Sequence, residues 1–286
     1  MLQKLKRRVV LFVSLLFLMT GSFLYSETKN LEIKPFARDG FETLKIKKSK
    51  KKNLVVHIFV PLCDNEHQGI VPVSKILGNG LDLRNNLYWG ALYGVKTHLK
   101  RSKKWKLIYD KKNISDVVLE RVIFKRDNVY IVADAYRGDK MKETLFDYFD
   151  SISGVKSAKV ALKKESLALY KDADLTIFNG HNGLMDYSIK AKKNEDNKTR
   201  ETAVIGCKSY KYFKSNLLIA KAYPLVTTTN YMAPEAYVLE AIVNSWGRLE
   251  SEKSMKKSAG KAYNKYQKCG LRGATRLFQD GWKREK

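Results

Sequence analysis

Two short blocks carry residue types able to do nucleophilic chemistry. In LTIFNGHNG (175–183), His181 follows an apolar stretch and lies between Gly180 and Gly183; in AVIGCKS (203–209), Cys207 follows another. A thiol attacks a carbonyl as the thiolate, and a neighbouring imidazole can take its proton or stabilise its charge. Backbone N–H groups at Gly180 and Gly183, where no Cβ holds a substrate off, are candidates to stabilise the oxyanion that such an attack creates. The same residues also fit a structural role, with Cys207 a small buried hydrophobe and His181 a hydrogen-bonded loop residue. A second cluster, Cys63, Asp64, Glu66 and His67, has the side chains of metal ligands. It sits on one loop without a spaced second pair and matches no zinc pattern, so it reads as hydrogen bonding at the mouth of a cleft. No metal and no cofactor is predicted.

The elements that would position these residues alternate along the chain. Leu54–Leu62 (LVVHIFVPL) is a nearly continuous apolar run, the pattern of a strand buried on both faces. Asn85–Lys100 places Leu87, Ala91, Leu92 and Val95 at helical spacing, with Asn85 or Asn86 as N-cap. Strands are expected at Trp105–Tyr109, Val117–Phe124 and Val129–Ala135, the last two joined through Arg126-Asp127-Asn128. A helix over Asp139–Ile152 puts Met141, Leu145, Phe146 and Phe149 on one face and ends at Gly154. Residues 155–171 read as a helix. Leu175–Phe178, Ala203–Gly206 and Pro224–Thr228 read as strands. One helix then runs from Pro234 to Trp246, and another from Met255 to Trp282 with a break at Gly270 or Gly273. The stretch AKKNEDNKTR (191–200) is an exposed loop, a candidate cleavage or lid segment.

This order predicts an α/β fold, a mostly parallel central sheet with helices on both faces. Open parallel sheets bind ligands beyond the carboxyl ends of their strands. The chemistry-bearing residues follow strands at those places: Asp64, Glu66 and His67 after the first, Arg137 after Val129–Ala135, then His181, Cys207, and Thr228, Thr229 and Asn230. A groove lined by Asp64, Glu66, His67, Arg137 and Thr228–Asn230 would lead to the His181–Cys207 pair.

The two blocks together resemble the caspase–legumain–gingipain group of cysteine peptidases, in which a His and a Cys end adjacent strands of a parallel sheet. The likeness spans residues 54–246 in element order. It implies a caspase-like fold, Cys207 as nucleophile, His181 as base, a peptide or protein substrate, and a groove along Tyr223–Asn230. The chain departs from the group in Asn182, which stands where the group has Gly, and in a shorter His-to-Cys interval.

The first residues direct the chain out of the cytoplasm. Lys4, Lys6, Arg7 and Arg8 precede an apolar run from Val9 to Tyr25, closed by Gly21, Ser22 and Ser26. This is a secretory signal peptide over 1–26, cut after Ser26, with an uncleaved membrane anchor as the alternative. Periplasmic or secreted location follows. No Cys follows the run, which argues against a lipoprotein anchor. A basic extended arm (27–53) and a single domain (54–286) come next. Removing four of the 55 basic and none of the 29 acidic residues leaves a net charge of +22. That charge favours anionic partners, an envelope polymer or lipid, over neutral ones. Nucleic acid is the less favoured partner. Lys45, Lys47, Lys48 and Lys50–Lys52 cluster as a solvated linker. On the last helix, lysines interleave with Tyr263, Tyr266 and Phe278, and the favoured arrangement turns the aromatics inward. Three cysteines leave at least one thiol free in an oxidising compartment, and Cys63 is positioned in the order of elements to pair with Cys207. Two further functions compete with the peptidase: a non-catalytic envelope protein binding anionic polymer or lipid, and a metal-assisted phosphoesterase acting through the Asp64–His67 loop.

Overall fold

Alternation along β1 (Leu54–Pro61) sets the architecture. Its side chains point in turn to the two faces of a sheet, and all eight residues are buried. Leu54, Val56, Ile58 and Val60 enter one core, Val55 and Phe59 the other. The computed structural model describes residues 47–163 and 165–283. The signal peptide expected at 1–26 and most of the arm expected at 27–53 lie outside them.

The sheet has eight strands in the order β10-β9-β8-β7-β1-β4-β3-β2. The other strands are β2 (Lys106–Lys112), β3 (Val118–Arg126), β4 (Val129–Tyr136), β7 (Leu175–Asn179), β8 (Arg200–Ile205), β9 (Ala222–Thr228) and β10 (Phe278–Asp280). The central five, β4, β1, β7, β8 and β9, run parallel. β2, β3 and β10 pair antiparallel at the two margins. One face carries α1 (Val95–Arg101), α4 (Ala236–Gly247) and α5 (Glu252–Gln267), the other α2 (Met141–Ile152) and α3 (Ser209–Ile219). A short α6 (Leu271–Arg276) leads into β10. The α/β class with a mostly parallel sheet and helices on both faces is therefore as the sequence predicts.

Several local expectations are corrected. Residues 155–171 form an antiparallel hairpin, β5 (Ser157–Ala161) with β6 (Ser166–Tyr170), not a helix. The helix expected over 85–100 is confined to Val95–Arg101. Asn86 begins a turn and not a helix: its Oδ1 accepts the N–H groups of Tyr88 and Cys63, and its amide bonds the carbonyls of Cys63 and Asn79, pinning the loop to the end of β1. Gly94 lies where an added Cβ would meet the Trp89 backbone at 2.4 Å, so the turn before α1 requires glycine. Phe146 is exposed rather than on the buried face of α2. The long C-terminal helix stops at Gln267, because Lys268 adopts a left-handed conformation (φ 54°), and its far end is the edge strand β10. Lys48 is buried, its ammonium on the Glu201 carboxylate and over the Trp246 ring, so the lysine cluster is not wholly solvated. The 191–200 segment is exposed at 195–198 but anchored by buried Asn194, which bonds the carbonyls of Lys198 and Ala220.

Beneath the hairpin lies a buried ionic group, with His57 and Asp134 fully enclosed and Arg121 nearly so. The Arg121 guanidinium grips Asp134 through Nε and Nη2, both at 2.6 Å. His57 Nε2 meets the same carboxylate at 3.0 Å, and His57 Nδ1 accepts the Tyr170 N–H at 3.1 Å. An Nδ1 that accepts is unprotonated, so His57 is neutral and donates from Nε2 to Asp134. Burial holds the His57 pKa below its ordinary value, outweighing the pull of Asp134. Burial also pushes Asp134 up, but the bonds from Arg121 and His57 prevail and hold it below the usual carboxylate range.

Candidate active site at the carboxyl edge of the sheet

The five parallel strands deliver their following loops to one edge. The chain crosses from β1 to β4 on one side and then to β7 on the other, so the loops after β1 and β7 diverge around a crevice. Three contacts bridge them. Asp186 Oδ2 accepts the Gly69 N–H at 3.1 Å, the Tyr187 hydroxyl donates to the His67 carbonyl at 3.3 Å, and Gly180 packs on Pro61.

β7 and β8 are direct neighbours, with Asn179 opposite Ile205. His181 and Cys207 each lie two residues beyond. The segments touch: the Asn182 amide donates to the Cys207 carbonyl at 2.7 Å, and Gly206 abuts the Gly180 carbonyl. His181 is 5 % exposed, and its Nε2 bonds the Asp186 carboxylate at 2.7 Å. That bond leaves Nδ1 as the nitrogen able to exchange a proton. Cys207 is partly exposed, with its sulfur 3.4 Å from both the N–H and the carbonyl oxygen of Met232. No hydrogen bond joins Cys207 to His181 among the described residues.

Cys207 lies on a sharp strand–turn–helix corner. Lys208 takes a left-handed conformation (φ 49°, ψ 31°), unusual for a side chain with a Cβ. Its N–H donates to the Asn230 carbonyl at 2.9 Å, and its ammonium stands 3.9 Å from the Tyr231 ring centre. Ser209 and Thr228 brace the corner from beneath. The Ser209 hydroxyl donates to the Val204 carbonyl, and that of Thr228 donates to the Gly206 carbonyl.

The expected oxyanion donors are otherwise engaged. Gly180 N–H bonds the Ile205 carbonyl and Gly183 N–H bonds the His181 carbonyl, both at 3.1 Å. The N–H groups of Asn182 and Cys207 take no partner among the described residues. A Cβ built on Gly206 would lie 3.8 Å from the Asn182 nitrogen, so the two free donors belong to adjoining segments.

The groove residues divide. Asp64, Glu66, His67 and Arg137 line a cavity of about 640 Å³ beyond β1 and β4, together with Lys75 and Asp139. Asp64 organises its loop, accepting the N–H groups of Glu66 and His67 and the His67 Nδ1. Arg137 is held by Asp139 through two bonds of 2.9 Å, which keep Asp139 below the usual carboxylate range. Thr228 is fully buried in the corner brace and lines no groove. Thr229 and Asn230 are exposed, though the Thr229 hydroxyl is turned to the Leu277 carbonyl. Among the described residues no three His, Cys, Asp or Glu side chains converge on a metal position, including the Cys63–His67 loop.

None of the three cysteines is in a disulfide. Cys63 is fully buried, and burial pushes its thiol up to about 11, an unreactive state at neutral pH. Asp186 is the residue that sequence reasoning passes over. Its signal is faint: an acid five positions after His181, brought back by the single 3₁₀ turn Gly183–Met185. Comparison with family models, with curated proteins and with solved structures returns no match for this chain.

Proposed function

We propose that this chain is an exported, caspase-like cysteine hydrolase cleaving peptide bonds, with Cys207 as nucleophile and His181 as base. One observation carries the reading: adjacent parallel strands end in a part-exposed thiol and an imidazole whose far nitrogen is held by a carboxylate. A nucleophile, a base and a third group orienting the base are the parts that acyl transfer needs.

The steps follow from the geometry. The Cys207 side chain turns from Met232 toward His181, and its proton passes to Nδ1, since Nε2 is committed to Asp186. The imidazolium then lies between thiolate and carboxylate, and Asp186 stabilises its charge. Thiolate attack forms the S–C bond and moves the carbonyl pair onto oxygen, where the free N–H groups of Asn182 and Cys207 receive it. His181 returns its proton to the leaving amine as the C–N bond breaks. Water, deprotonated by the same imidazole, releases the acid and regenerates the thiol. Asp186 is a positioning residue here; Cys207 and His181 are the catalytic ones. The cavity beside Asp64 and Arg137 would take part of the peptide.

Incubating the purified protein with a peptide library and reading the products by mass spectrometry tests this. Cleavage should vanish in Cys207→Ser and fall by about 10²- to 10⁴-fold in His181→Ala. Cleavage that survives Cys207→Ser contradicts the assignment.

A further inference from the structure

The last helices carry charge in a pattern that the proposed hydrolysis does not use. From Lys253 to Gln279 the chain has eight basic residues and no acidic one. On α5 the exposed lysines fall at 253, 257, 261 and 265, each four residues from the last. Four residues advance a helix by about 6 Å and turn it about 40° past a full circle, so the lysines form a ladder about 18 Å long with a shallow twist. Lys268, Arg272 and Arg276, also exposed, add basic charge where the chain turns back, with Thr275 of α6 packed beside Gly260 of α5. None of these seven forms an ion pair with a described carboxylate, whereas their half-buried neighbour Lys256 is bound to Asp280 at 2.7 Å. The aromatics interleaved in sequence face elsewhere: Tyr263 is buried, and Tyr266 stacks on Tyr237 at 4.2 Å.

An unneutralised file of like charges is unfavourable to its own fold, since side chains at i and i+4 repel by a few tenths of a kcal/mol each. We propose that the α5 lysine ladder binds a linear anionic polymer, one with acid groups repeated along a chain that can follow the twist. Charge complementarity selects the sign of the partner, and the single-file geometry selects its shape. The surface between the lysines, Ser254, Ser258 and Asn264, is polar and offers nothing to insert among acyl chains. Of this face only Leu271 is an exposed large hydrophobe, at 49 %. An amphipathic helix seated in a bilayer interface presents an apolar face beside its basic one. The polymer is the better fit.

Binding of the full chain to a short fluorescent heparin oligosaccharide, followed across a salt series, tests the proposal. Log K should fall linearly with log salt, and changing Lys253, Lys257, Lys261 and Lys265 together to Gln should reduce the slope by about 3 to 4. Gln keeps the helix propensity of Lys, and circular dichroism verifies the fold. The control changes Lys103, Lys104, Lys111 and Lys112, exposed near the opposite sheet edge, to Gln. The expected result is a large loss of slope for the ladder variant and a small one for the control. Equal losses would mean that net charge alone attracts the polymer, and would overturn the proposal. So would tighter binding to phosphatidylglycerol–phosphatidylcholine vesicles than to the oligosaccharide at equal anionic charge, or no measurable binding to the oligosaccharide.

Discussion

At the residue scale, the Arg121–Asp134–His57 group joins β1, β3, β4 and the β5–β6 hairpin through groups that are largely shielded from water, His57 and Asp134 completely. Its pH response has a definite sign. The folded pKa of His57 lies below the ordinary value of about 6.5, so under that pH the unfolded chain binds more protons than the folded one. Stability conferred by neutral His57 is fully present above about pH 6.5 and declines as the pH falls toward the folded pKa. Asp134 is lowered too, so its contribution is present above its unfolded pKa of about 3.9 and is lost in stronger acid. Urea denaturation between pH 8 and 5 should therefore show a loss that is much reduced in His57→Gln. Asp134→Asn should cost about 3–5 kcal/mol, because it strands the Arg121 guanidinium in the core. A change of less than about 1 kcal/mol in that titration would show that water reaches the group.

The strand–turn–helix corner that carries Cys207 is an element held by few bonds. Thr228→Val keeps shape but removes the hydroxyl that donates to the Gly206 carbonyl and accepts the Ser209 N–H. The expected cost is about 1–3 kcal/mol, read by thermal denaturation, with faster exchange of the amides at 206–209. Gly94→Ala tests a second tight element, since a Cβ would strike backbone rather than a movable side chain; a loss of about 1–3 kcal/mol is expected. The strands were legible wherever burial imposed a simple pattern. The run at 54–61 reads as the doubly covered strand it is, and the strands ending before His181 and Cys207 are found within a few residues. The hairpin at 157–170 is not, because its Ala, Lys, Leu and Glu are strong helix formers. The evidence for strands was a short period-two alternation, with Val160 paired to Leu167 and Ala158 to Leu169. Leu87, Ala91 and Val95 have helical spacing, yet Asn86 finds its partners at Cys63 and Asn79, contacts that spacing cannot reveal. The same limit hides Asp186 and the engaged glycine N–H groups. Both depend on which backbone donors the turns consume.

The molecule as a whole combines a basic exterior, three free cysteines and a site at the one sheet edge where five parallel strands deliver their loops. Proposed export predicts a mature N-terminus near Glu27 by mass spectrometry of protein from its native host. An intact chain beginning at Met1 in the cytosolic fraction would contradict that proposal. The cysteines supply internal standards for the central claim, because they sample three environments: Cys63 buried and raised to about 11, Cys269 exposed between α5 and α6, and Cys207 part-exposed on the corner after β8. A nucleophilic thiol must be more ionised at neutral pH than a free cysteine, whose pKa is about 8.5. The decisive measurement is the rate of iodoacetamide labelling of each cysteine between pH 5.5 and 9, resolved by mass spectrometry, in the native protein and in His181→Ala and Asp186→Asn. Cys207 should label faster than exposed Cys269 at pH 6–7 and reach its plateau at lower pH. That advantage should disappear in His181→Ala and shrink in Asp186→Asn. A Cys207 that labels no faster than Cys269, or whose rate is indifferent to His181, would contradict the assignment.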